Sequence, residues 1–260
     1  MHIDTYGQGG DIPIVLIHGW AMHGGIMTPL VEGLVRVPRV KVHVVDLPGH
    51  GYSRAGEQGF DVAECVERLT RLLPPGAIWV GWSLGGLVAL RAALTPAAQV
   101  AGLGMICASP CFVSRGAWTH GVPLAVLEQF GRDLATDYQG TIERFLALEA
   151  QGDDNAQACL RELRAHVFDR GQPSTTVLEM GLYALEHSDY SEQLSQITCP
   201  SLWVPGGRDR LVPWQAMEWS AEAARGRFHR IDGAAHAPFV THLAELMVQM
   251  KILVREVHGE

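Results

Sequence analysis

The chain has 260 residues, 47% of them apolar and 18% charged, with a formal net charge of -8. That length suffices for one large domain with a sizeable core, and the apolar share excludes global disorder. The acidic balance argues against nucleic acid as a general partner.

Taken in chain order, strands are predicted at 3–6, 12–17, 41–46, 77–81, 102–107, 201–204 and 227–231. Helices are predicted near 27–34, 62–73, 84–94, 214–224 and 238–254. Short apolar strands alternating with amphipathic helices predict the α/β class, a mostly parallel sheet flanked by helices. The alternation stops near Cys111 and resumes near Cys199. Helix formers fill 123–134, 141–151, 155–167 and 175–187 between them, with Gly140, Gly152 and Gly171 as expected punctuation. A helical insertion of this size reads as a lid over a site. The expected division is a first part of the core at 1–111, the lid at 112–190 and the second part of the core at 191–260.

No early segment joins a basic start, an apolar stretch and a small-residue cleavage site, so no signal peptide is expected. No uninterrupted apolar run is long enough to cross a bilayer, so no membrane partner is expected either. The five cysteines, Cys65, Cys107, Cys111, Cys159 and Cys199, are scattered and odd in number. They read as buried thiols in a reducing compartment, and a cytoplasmic monomer is the expectation. C-x-x-C pairs and an H-E-x-x-H helix are both missing, so no metal or other cofactor is predicted.

The chemistry is concentrated at strand ends. Gly81-Trp82-Ser83-Leu84-Gly85 is a G-x-S-x-G pentapeptide set between an apolar run and a helix-like stretch. A strand turning sharply into a helix lifts one serine hydroxyl into the open, and the glycines make room for the turn. Such a nucleophile needs a base, and the base needs an orienting acid, in the chain order Ser, Asp or Glu, His. Asp209, after the run 201–204, and His236, in a Gly-rich loop after 227–231, fit that order. Asp209 taken alone could instead be a turn residue or a partner of Arg208 or Arg210. Asp232 is a rival acid, but so near His236 it is expected to shape the turn. The oxyanion needs two backbone N–H donors. Leu84, at the start of the helix after Ser83, supplies one, and the His18-Gly19-Trp20 loop offers the other at Trp20. His18 itself is expected to bond within its loop, and Asp46-Leu47-Pro48-Gly49-His50-Gly51-Tyr52-Ser53 reads as a structural turn.

Together the His18, Asp46 and Ser83 motifs with Asp209 and His236 resemble the α/β-hydrolase superfamily over essentially the whole chain. More narrowly, 78–89, 108–112, 143–148 and 234–239 resemble the pimeloyl-[acyl-carrier protein] methyl ester esterases of biotin synthesis. That resemblance implies a serine carboxylesterase that frees methanol from a pimeloyl ester carried on acyl-carrier protein and also cleaves short esters. It implies substrate contacts at Trp20, Ser83, Leu84, Phe145, Leu146, Ala147, Leu148, Glu149 and His236. It also implies carrier docking through the lid arginines Arg144 and Arg161, with Arg164 one turn after Arg161. Two other positions basic in that pattern are Gly140 and Gln157 here, and Glu143, Asp153 and Asp154 dilute the patch. The same triad serves lactonases, thioesterases and C–C hydrolases, and a non-enzymatic receptor can keep it, so these alternatives stay open. A dehalogenase would need a carboxylate where Ser83 stands.

Overall fold

Runs of apolar residues with no polar face must be covered on both sides, which places them in the middle of a sheet. In the computed structural model, which describes residues 1–54 and 59–259, this is where they lie. The strands are β1 (Ile3–Tyr6), β2 (Ile12–Ile17), β3 (Val40–Val45), β4 (Ile78–Trp82), β5 (Gly102–Ile106), β6 (Ser201–Val204) and β7 (Arg227–Phe228). They form one seven-stranded sheet in the order β1-β3-β2-β4-β5-β6-β7. Only β1 runs antiparallel to its neighbour; every other pairing is parallel. All residues of β4, β5 and β6 are buried.

The core helices are α1 (Thr28–Leu34), α2 (Val62–Leu72) and α3 (Leu84–Ala93), and the insertion supplies α4 (Leu124–Thr136), α5 (Tyr138–Ala150), α6 (Ala156–His166) and α7 (Thr175–His187). After β6 come α8 (Trp214–Ala223), α9 (Pro238–Thr241) and α10 (Leu243–His258). Helix α1 packs with α10 and α2 with α3 against the sheet, while α8 covers β6 and β7. In the insertion, α4 packs on α5 and α7, α5 on α6, and α6 and α7 touch the core. Among the described residues no helix is long and apolar enough to cross a membrane.

Three boundaries differ from expectation for local reasons. Helix α5 starts before Gly140, which lies in its first turn and does not interrupt it. Asp137 causes this: its carboxylate accepts the Gly140 N–H at 2.9 Å and caps the helix three residues early. The helix predicted over 238–254 is broken at His242, whose φ is -126°. The preceding Thr241 hydroxyl donates to Asp153 Oδ2 at 2.9 Å, tying the break to the insertion. The last strand is cut to two residues, with an isolated bridge between Gly206 and Ile231 beyond it. Between them His229 turns to Glu245 and Arg230 to Asp232. The stretch 112–123 at the head of the insertion is a bridged loop and not a helix. All five cysteines are free; four are buried and Cys199 is half-buried.

One ion-pair cluster fastens the insertion to the core. Arg170, in the loop after α6, places Nη1 3.1 Å from Asp46 Oδ2 and 2.7 Å from Asp4 Oδ2. Its guanidinium also lies over the Tyr52 ring, 4.8 Å from the centroid. Asp46 is fully buried and accepts the backbone N–H groups of Gly24 at 2.6 Å and Tyr52 at 2.8 Å. The turn at 46–53 is therefore a structural knot, as its sequence suggests. Removing the cation would strand a buried carboxylate, so Arg170→Met should cost about 3 kcal/mol of stability. Urea denaturation measures this, and an unchanged midpoint would contradict the role given to the cluster.

Candidate active site

Strands β4, β5 and β6 lie side by side, so the loops at their carboxyl ends meet. The first of these carries Ser83. Its backbone sits at φ 53° and ψ -121°, a strained conformation for a residue with a side chain. The turn is tight enough that a Cβ on Gly81 would strike the Gly85 carbonyl, and one on Gly85 would strike the Ile17 carbonyl. Glycine at both positions lets α3 close onto the sheet. The loop after β2 comes equally near: a Cβ on Gly19 would lie 3.1 Å from the Ser83 Cβ. The His18-Gly19-Trp20 loop therefore lies against the Ser83 turn.

The second group follows β6. The Asp209 side chain is fully buried, and its Oδ1 accepts the N–H groups of Leu211 at 2.8 Å and Val212 at 3.0 Å. Its Oδ2 lies 2.7 Å from Nδ1 of His236. Asp209 thus shapes its own turn through Oδ1 while Oδ2 serves the imidazole, and Arg208 pairs with Asp154 at 2.6 Å instead of with Asp209. Asp232 is exposed and pairs with Arg230, so it is not the acid behind the imidazole. His236 is completely buried, and its Nε2 has no hydrogen-bond partner among the described residues. A buried imidazole with one nitrogen on a carboxylate and the other vacant is poised to accept a proton.

Surrounding groups that sequence reasoning missed hold the His236 loop in place. Trp82, the residue before Ser83, donates its indole N–H to the His236 carbonyl at 2.7 Å. The His236 N–H donates to the Glu149 carbonyl at 3.0 Å, and the Ala235 N–H to Asp153 Oδ2 at 3.0 Å. Asp153 read only as a charge diluting a patch, yet it binds this loop and Thr241 together. Such long-range pairings leave no local pattern to read.

Trp20 and Leu84 are both buried. The Trp20 indole donates to the Leu178 carbonyl of α7 at 2.8 Å and packs edge-on against Phe145 of α5. His18 bonds within its surroundings, with Nδ1 2.8 Å from the Gly19 carbonyl and Nε2 accepting the Leu47 N–H at 3.0 Å.

The stretch 145–149 divides between two faces of α5. Phe145 lines a cavity with Ser83, Phe112, Leu127, Phe130 and Leu182, closed down to about 20 Å³. Leu146 and Glu149 are buried, but neither lines that cavity. Ala147 and Leu148 line an outer groove with Arg144 instead, although Leu148, three residues on from Phe145, also packs half-buried against the core. The implied substrate set is thus brought together only in part. The arginines are also dispersed. Arg144 pairs with Asp133 and Asp137, both at 3.2 Å, and Arg164 with Glu143 at 2.6 Å. Arg161 faces a different cleft, between α6 and the core.

Among the described residues, one group has metal-ligand spacing: Cys107, Asp209 and His236, whose donor atoms lie within 4.8 Å of one another. An ion there would have to displace the hydrogen bond between Asp209 and His236. Electrostatically the site is hostile to extra charge. Burial and the neighbouring Asp209 push the Glu149 carboxyl well above the usual carboxylate range. Burial, together with His50, pushes the His18 imidazole down to about 3. The His18 ring signals in NMR should therefore fail to titrate between about pH 8 and 5. A midpoint near the ordinary histidine value would show that the ring is not locked neutral.

Comparison with known proteins fits this geometry. The family model described as the alpha/beta hydrolase fold matches residues 12–243. The chain is 46% identical over 243 residues to a pimeloyl-[acyl-carrier protein] methyl ester esterase of Xanthomonas campestris, covering 93% of this chain and 94% of the relative. It is likewise 46% identical to the protein of that name from Stenotrophomonas maltophilia, covering 98% and 96%. A solved esterase from Exiguobacterium antarcticum shares the fold with a TM-score of 0.84 at 21% identity, covering 98% and 95%. The chain therefore belongs to the α/β-hydrolase family and, within it, to the family of the pimeloyl-[acyl-carrier protein] methyl ester esterases.

Proposed function

We propose that this chain is a serine carboxylesterase that hydrolyses the methyl ester of pimeloyl-[acyl-carrier protein] to the free acid and methanol. The observation that carries the chemistry is the buried His236, bound to Asp209 through Nδ1 and vacant at Nε2, at the strand ends that present Ser83. The substrate class rests on the relatives, which are named for this ester.

In this reading His236 takes the Ser83 proton as the hydroxyl oxygen attacks the ester carbonyl. Asp209 holds the imidazole in the useful tautomer and stabilises its charged form. The N–H groups of Trp20 and Leu84 hold the developing oxyanion, each contributing about 3 kcal/mol to lowering the barrier. Methanol leaves with the proton from His236. Water, activated by the same imidazole, then cleaves the acyl-enzyme and frees the acid.

Residues 112–190 serve as the lid. The cavity wall around Ser83 is apolar, built from Phe112, Val122, Leu127, Phe130, Phe145, Leu182, Leu185 and Leu211. Such a wall suits the methylenes of an acyl chain. At about 20 Å³ the cavity holds roughly one water, so α4 and α7 part from the core to admit the ester. The carrier approaches Arg161, whose side chain is 74% exposed and meets its nearest acid, Glu162, only at 3.8 Å. Arg144 and Arg164 are more closely paired and contribute less.

Two experiments test this reading. Ser83→Ala should lower turnover of short p-nitrophenyl esters by on the order of a millionfold; retained turnover would sink the assignment. Arg161→Glu should impair hydrolysis of the carrier-bound ester several-fold while sparing small esters. Equal losses on both substrates would remove the docking role.

A further inference from the structure

Glu149 is a buried acid that the proposed chemistry does not use. It lies on α5 at 1% exposure, and neither carboxyl oxygen has a hydrogen-bond partner among the described residues. Its backbone carbonyl nevertheless holds the N–H of His236. Among the described residues, the groups that act on it or feel it come from three sides, and none is a cation. Asp209 faces it from the loop after β6, Cys107 from the end of β5 and Cys159 from α6. Asp153, at the end of the same insertion segment, acts on Cys159 as well and holds the His236 loop.

An ionised carboxylate in that position would be desolvated, unpaired and next to a second carboxylate, which the site cannot sustain. A protonated carboxyl is neutral and packs there at far lower cost. We propose that Glu149 is a positioning residue: as an uncharged acid it keeps α5 seated against the His236 loop, and loss of its proton unseats that helix and the histidine with it. This rests on the reading of His236 and Asp209 given above, and adds to it a joint through which the lid senses proton activity.

The sign follows from the direction of the shift. Burial raises the Glu149 carboxyl above its solvated value of about 4.3. The seated state is therefore at full strength below the solvated value and weakens as pH rises through the raised one. Cys107 and Cys159 are also raised by burial, Cys159 to about 12, so they stay neutral through most of this range.

The test compares wild type with Glu149→Gln and Glu149→Leu in kcat/KM on a short ester and in Tm, from neutral to alkaline pH. Wild type should lose both as pH rises, by roughly tenfold in kcat/KM per pH unit beyond the transition, while both variants flatten. Parallel profiles in all three proteins would overturn the proposal. Wild type alone supplies a further readout should the variants fold poorly. At neutral pH it should show the infrared C=O band of a protonated carboxylic acid, lost in step with the alkaline fall in activity. A missing band at neutral pH, or one that titrates apart from activity, would also overturn it. The band and Tm can be read in the Ser83→Ala protein, so failure of the esterase reading is distinguishable from failure of this one.

Discussion

A histidine that passes a proton between a nucleophile and a leaving group must be held by everything except the nucleophile. His236 is held in that way. Its Nδ1 is on Asp209, its carbonyl on the Trp82 indole, its N–H on the Glu149 carbonyl, and the preceding N–H on Asp153. These groups come from the loop after β6, the end of β4 and the joint between α5 and α6. Among the described residues, its Nε2 alone finds no partner. The ring's position is thus the point where sheet, loops and insertion meet, and the lone free nitrogen follows from the other contacts.

The insertion is bound to this machinery more closely than a cover needs to be. Trp20, proposed to hold the oxyanion through its backbone, is tied by its indole to α7 and by its ring to Phe145 of α5. Arg170 fastens the far side of the insertion to buried Asp46. As the proposed lid, an insertion joined both to the proposed oxyanion donor and to the histidine would do more than admit substrate. In that proposal its seating sets the alignment of the groups that act on the ester, so that opening and misalignment would be one event. The cavity of about 20 Å³ describes the seated state.

Much of this was legible because strand ends leave local signatures. An apolar run followed by glycines marked Ser83 and Asp209, a Gly-rich loop after a predicted strand marked His236, and all seven strands were in view, though β7 is shorter than its pattern. The helical insertion was legible for the same reason, by the absence of strand-like runs. What escaped depends on contacts distant in sequence or on which way a helix faces. The implied contacts at 145–149 come from a resemblance and not from helical rotation; in the fold Phe145 lines the cavity at Ser83, and Ala147 and Leu148 line an outer groove. The start of α5 was misread because glycine was weighed above the Asp137 cap. Spacing placed Arg161 and Arg164 on one face, yet Glu143 draws Arg164 toward α5. The ties of Asp153 to Ala235 and Thr241 span more than eighty positions and have no local pattern at all.

The distribution of charge around the site has a consequence for the proposed reaction. Ester hydrolysis turns a neutral group into a carboxylate inside the cavity beside Ser83. The residues lining that cavity include no lysine or arginine, and the acids behind His236 are Asp209 and Glu149. The product anion thus finds backbone donors but no cation to retain it, and the neutral ester enters without competing against such an attraction. An arginine in that wall would strengthen binding of the product more than of the transition state, which shares its charge among fixed N–H donors. The apolar wall therefore favours turnover as well as chain binding. It also fits the placing of Arg144, Arg161 and Arg164 on exposed positions of the insertion, outside the wall beside Ser83.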